Sequence, residues 1–258
     1  MRLCCLPHCI LRRRRGIYNS AMSPSNPNSN VFDRLSAVTV LTDAQAAAIK
    51  QTYALFGIAV AAAIVGGYVG ATTEAIARFF SSFTGWIIAM LGLNLVPRIA
   101  MGARSNPVLG TAALVFDGFF AGLCLAPLLW FAAQRQPEMI LAALAVTAIV
   151  FLAVTGYIFF SGRRFSAPRG LMIGLFFALI GAMLINSFLY IGFLGILIAA
   201  GIGAMGVIAL VSSTSAIFES GDADMPIPGA LALFAGVFNI FVATLNILLR
   251  LFGGDRRR

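Results

Sequence analysis

Asp117 is the one acidic residue set deep in a long apolar run, and it is the first side chain to ask for a chemical role. A carboxylate at such a position costs about 2.5–3.5 kcal/mol on insertion scales, so it is expected to face the bundle or to be protonated. Two readings follow: a proton or cation site, or a neutral acid hydrogen-bonded to a neighbouring helix. Gly236, Asn239, Ala243 and Asn246 share one face of a helix by their 3-4-3 spacing. Two carboxamides among small residues would pack inward and bond across helices, with ion contact as the alternative. The hydroxyl run Ser212, Ser213, Thr214 and Ser215 is expected to bond the carbonyls of the preceding helical turn.

These groups do not assemble into an enzyme. A serine mechanism needs a base, and the single histidine is His8, in the N-terminal tail. An aspartyl mechanism needs two acids on facing helices, and one is present. An HExxH zinc motif is lacking, and the glycines sit inside apolar runs without the basic residue of a phosphate loop. Cys4, Cys5, His8 and Cys9 are metal-type side chains without paired zinc-site spacing, and Cys124 lies in an apolar run as a small packing residue. The expectation is a non-enzymatic protein with no cofactor and no metal.

The elements that must carry these residues are membrane helices. The 258 residues are 60% apolar and only 10% charged, with a mean hydropathy of +0.95. So few charges cannot keep a surface in water, which makes the lipid bilayer the solvent. The net charge of +9 is placed at the N-terminus, in short breaks between apolar runs and at Arg256 to Arg258. That is the pattern of membrane flanks, and it argues against nucleic acid as a partner. Uncharged runs cover Gln51–Thr73, Phe79–Pro97, Pro107–Gln134 (broken by Asp117), Met139–Gly162, two spans between Arg169 and Glu219 turning near Asn186 to Gly192, and Gly229–Leu249. The count is seven. Gly66 with Gly70, and Gly118 with Gly122, have the small-xxx-small spacing that lets helices approach closely. Uniformly apolar runs favour helices over a barrel, whose strands would alternate.

Residues 1–45 read as a disordered or interfacial segment, 46–253 as the membrane domain and 254–258 as a basic tail. Val31 to Lys50 has a modest amphipathic pattern that suggests an interfacial helix. Met22 offers an alternative start, and the Arg-rich, acid-free opening also resembles an organelle transit peptide. Arginine bias puts the N-terminus and the connectors holding Arg98, Arg104, Arg163, Arg164 and Arg169 on the cytoplasmic side. The basic C-terminus then falls on the opposite side. Either the last segment does not fully cross, or the early charges dominate.

Five stretches in order resemble the Bax inhibitor-1 family, over about Ala46 to Gly253. Gln51-Thr52-Tyr53-Ala54-Leu55-Phe56 is similar to its opening motif, and Ala121 through Pro127 to its third-span "GlxLxP". Ser161 through Ser166 is similar to "tkrDfS", and Gly181 through Leu189 to the fifth-span "GAMLaNiFL" of the YccA branch. The closing run from Ala230 through Asn239-Ile240-Phe241 to Gly253 resembles "ALxLYxDxxNLFxxLLRxxG".

The resemblance implies an all-α integral membrane protein, a seven-transmembrane helix bundle. For family members that pass calcium it implies a pair of aspartates that share a proton. Those positions fall on Ser213 and Gly236 here, and the Asp of "tkrDfS" on Arg164, so both paired acids are missing. The basic partner after span two falls on Arg104, with Arg98 the alternative. The YccA branch implies a bacterial inner-membrane protein that restrains the membrane AAA protease FtsH through contacts involving a cytoplasmic N-terminal segment. A calcium or proton leak using Asp117 and Arg104 is the rival expectation.

Overall fold

The computed structural model describes residues 43–161, 165–189, 191–220 and 226–252, all within one compact unit. Among them the chain forms helices α1 (Asp43–Thr72), α2 (Glu74–Ser81), α3 (Phe83–Gly102), α4 (Pro107–Cys124), α5 (Ala126–Arg135), α6 (Glu138–Ser161), α7 (Arg169–Leu189), α8 (Gly192–Ser220) and α9 (Pro226–Phe252), with a single 3-10 turn at Ala103–Ser105 and no strand. Seven of these, all but α2 and α5, are long and apolar enough to cross a membrane. The chain is a multi-pass membrane protein.

The spans lie where hydropathy puts them, with four differences. The run Pro107–Gln134 is two helices broken at Leu125, because 28 residues exceed one bilayer crossing and Pro127 starts a new helix near its N-terminus. Phe79 belongs to the short α2, and the second span starts at Phe83, where Ser82 caps it by accepting from the Gly85 amide at 3.1 Å. That helix continues through Pro97 to Gly102, as transmembrane helices tolerate when neighbours re-satisfy the freed carbonyl. The described end of the Val31–Lys50 segment, from Asp43, is continuous with the first span rather than a separate interfacial helix. The rest of the N-terminal segment, with its Cys/His cluster, Gly162 to Arg164, the acidic connector 221–225 and the basic tail lie outside the described residues.

Close helix approach organises the bundle. Gly118 and Gly122 of α4 lie on the α1 backbone: a Cβ at Gly118 would sit 2.3 Å from the Ala59 carbonyl oxygen, and one at Gly122 2.2 Å from that of Ala63. Gly66 answers from α1, with the Phe119 oxygen 2.1 Å from its Cβ position. Only hydrogen fits at such a crossing. Gly70 abuts Ala126, so the ends of α1 and α4 meet the short α5. Helix α9 is the central element, packed on α1, α6 and α8, and it contributes the fully buried Leu233 and Leu245. Helix α7 is peripheral: it packs chiefly on α8 and leaves most of its apolar side chains exposed.

The last helix is long and apolar enough to cross completely. Its 27 residues span about 40 Å. At its far end the Gln136 amide, just after α5, donates to the Phe252 carbonyl at 2.8 Å, satisfying a group that the helix terminus leaves open. Gly229 at the start of α9 meets Thr52 near the start of α1, and Ala71 packs on the cluster holding Leu245 and Leu249, so the start of α1 and the end of α9 lie at opposite ends. Its length thus gives no reason for an incomplete last crossing.

Candidate functional site

Asp117 sits on the α4 face formed by Gly110, Leu114, Gly118 and Ala121, and it is only 4% exposed. Among the described residues no hydrogen bond or ion pair reaches its carboxylate, so the interhelical hydrogen bond expected for it is not formed. Arg104 lies in the 3-10 turn between α3 and α4, thirteen residues earlier in sequence, and its side chain lies outside the described part of the structure.

Asn239 and Asn246 lie half-buried on α9 on the face shared with buried Gly236 and Ala243, as their spacing requires. Their bonding differs from expectation. The Asn246 amide donates to its own helix at the Val242 carbonyl, 2.9 Å away, and so does not bond across helices. Asn239 packs its Cβ against Gly206 of α8 and makes no hydrogen bond among the described residues. A carboxamide can return a bond to its own turn where the facing helix offers only apolar atoms.

The two family aspartate positions both fall on the α8–α9 packing. Gly236 is in backbone contact with α8: its Cβ position lies 3.1 Å from the Gly206 oxygen and 3.1 Å from the Leu210 nitrogen. Gly206 answers with the Gly236 oxygen 2.9 Å from its own Cβ position. An aspartate at 236 would force these backbones apart. Ser213 is half-buried on α8 and makes no side-chain hydrogen bond among the described residues.

The hydroxyl run behaves unevenly. Ser212 donates to the Ile208 carbonyl at 2.6 Å, as expected. Ser215 instead accepts the Phe165 backbone N–H at 2.8 Å, tying the connector after α6 onto α8. The Phe165 ring lies against Tyr157 with centroids 5.9 Å apart. Thr214 is fully buried and makes no bond to its own helix. Its hydroxyl and that of Thr155 face the Tyr53 phenol from α8 and α6. The three oxygens approach one another, but no donor–acceptor pair among them has hydrogen-bond geometry, so each stays unsatisfied. Elsewhere in the bundle a buried hydroxyl bonds its own helix, as Thr52 and Thr147 do at 2.9 Å and 2.7 Å.

This hydroxyl cluster is what sequence reasoning missed. Tyr53 and Thr214 each stood in a recognised stretch, but nothing in one apolar run says that Thr155 will face them. The signal is tertiary. Among the described residues no group of three His, Cys, Asp or Glu side chains is placed to hold a metal ion.

Residues 45–254 match the family described as "Inhibitor of apoptosis-promoting Bax1". An uncharacterized protein of Campylobacter jejuni is 31% identical over 204 residues, covering 78% of this chain and 87% of that protein. The "Modulator of FtsH protease YccA" of Escherichia coli K12 is 30% identical over 166 residues, 64% of this chain and 74% of its own length. An uncharacterized protein of Neisseria meningitidis serogroup A is 28% identical over 213 residues, 80% of this chain and 92% of that one. The five sequence stretches, the seven apolar helices and these matches agree: the chain belongs to the Bax inhibitor-1 family, in its YccA-like branch.

Proposed function

We propose that this chain is a non-enzymatic inner-membrane protein that modulates an FtsH-type membrane AAA protease through protein contacts. The observation that carries the reading is its 30% identity to the Escherichia coli protein named as a modulator of that protease. The geometry supports it. Among the described residues Asp117 is the one buried acid, its paired-aspartate positions are Ser213 and Gly236, and a Cβ at 236 would already lie 3.1 Å from the α8 backbone. The chain is therefore suited to act by its surface rather than by an interior ion switch. Placement in a bacterial inner membrane belongs to the same reading, after the Escherichia coli relative named an inner membrane protein. Co-purification in mild detergent tests it: an FtsH-type protease should be enriched with the tagged chain, and its absence would count against the proposal.

A cation or proton leak is the second reading, favoured by buried Asp117 and by the unsatisfied hydroxyls of Tyr53, Thr155 and Thr214. Proteoliposome flux separates the two. A flux abolished by Asp117→Asn but kept by Ser213→Ala would support the leak.

A further inference from the structure

Helices α1 and α6 touch where Phe56 stacks on Phe151, with centroids 5.0 Å apart, and beyond that contact they leave a cleft with α9 as its floor. The cleft they leave has a volume of about 510 Å³. It follows α1 from Phe56 to Ala71, about 22 Å at 1.5 Å per residue. Small residues of α1, among them Gly57, Ala63 and Gly67, open one wall, and Phe234, Phe238 and Phe241 of α9 line the floor. The lining is apolar almost throughout. Buried Thr147 returns its hydroxyl to the Ala143 carbonyl at 2.7 Å and shows the cleft only its methyl group. Tyr68, at the rim, is 70% exposed.

We infer that this cleft is a binding site for a single acyl chain of a membrane lipid. Water has no polar partner within it, and a void lined by hydrocarbon on every side forfeits the dispersion contacts of its walls. The volume, spread over that length, is too narrow for a helix, which is 10–12 Å across with its side chains, and it suits one extended hydrocarbon chain. The cleft opens sideways along α1 and α6, where exposed Ile64 and Leu144 flank it at the depth of the bilayer interior. A chain can therefore enter laterally from the lipid phase. Lipid tails are as apolar as the cleft, so shape and van der Waals contact select the occupant rather than the hydrophobic effect. The aromatic floor and the glycine-opened wall supply that shape.

The test uses the full chain in vesicles of phosphatidylethanolamine and phosphatidylglycerol that contain a trace of phosphatidylglycerol with a photoactivatable diazirine on its acyl chain. After irradiation, adducts are located by mass spectrometry. Adducts per apolar residue on the cleft faces of α1 and α6 should exceed those on lipid-facing α7 by about fivefold. Gly57→Phe with Ala148→Phe fills the cleft from its two walls, and a side chain at Gly57 enters open space. This variant should reduce the cleft adducts about fivefold while leaving α7 labelling and helical content unchanged. Ala148→Phe alone serves if the double variant does not fold. Cleft labelling equal to that of α7, or labelling unchanged by filling, would each overturn the assignment.

Discussion

Asp117, Gly236 and the three facing hydroxyls show how differently single residues fare inside this bundle. Asp117 is buried and has no hydrogen bond or ion pair among the described residues, in a span where an ionised carboxylate costs about 2.5–3.5 kcal/mol to insert. Asp117→Asn is therefore expected to fold and to raise the melting temperature in detergent; a lowered one would show that the acid is structural. Tyr53, Thr155 and Thr214 each leave a buried oxygen unsatisfied, at about 1–3 kcal/mol per group. Replacing them together by Phe, Val and Val removes the polar atoms and keeps the shape, so thermal unfolding of that triple variant should shift upward. Ser215→Ala should move the other way, by about 1 kcal/mol, because the Phe165 amide loses its partner.

Between helices the decisive quantity is backbone separation. Gly118→Ala places a methyl group 2.3 Å from the Ala59 oxygen and should cost more than about 2 kcal/mol, read as a lowered melting temperature. Gly174→Ala on peripheral α7 meets nothing within 4 Å and should stabilise by up to about 1 kcal/mol through helix propensity alone. Equal effects at the two sites would contradict the packing described. Much of this was legible in the sequence. The Gly66/Gly70 and Gly118/Gly122 spacing marked the α1–α4 crossing, and hydropathy located the seven spans because lipid demands an unbroken apolar run. The break at Leu125 was legible only in part: the length of the run and Pro127 call for a stop, but they do not fix where the first helix ends. The contact of Gly236 with Gly206 was not legible, nor was the meeting of Thr155 with Tyr53. Those depend on how helices rotate against each other, which a single run does not encode.

For the whole molecule, seven crossings put the start of α1 and the end of α9 at opposite ends of the bundle, and the arginine bias assigns the α1 start to the cytoplasm. A reporter fused after Arg258 should accordingly score on the far side of the membrane; a cytoplasmic score would break either the span count or the orientation. The proposed role needs a surface rather than a reaction centre, and buried Asp117 has no part in it. Asp117→Asn should thus leave modulation of the protease intact. The direct measurement is the degradation rate of a membrane substrate by an FtsH-type protease reconstituted in vesicles with and without this chain. The account predicts slower turnover with the chain present, equally for wild type and Asp117→Asn. An unchanged rate, with both proteins shown to be inserted and folded, would contradict it.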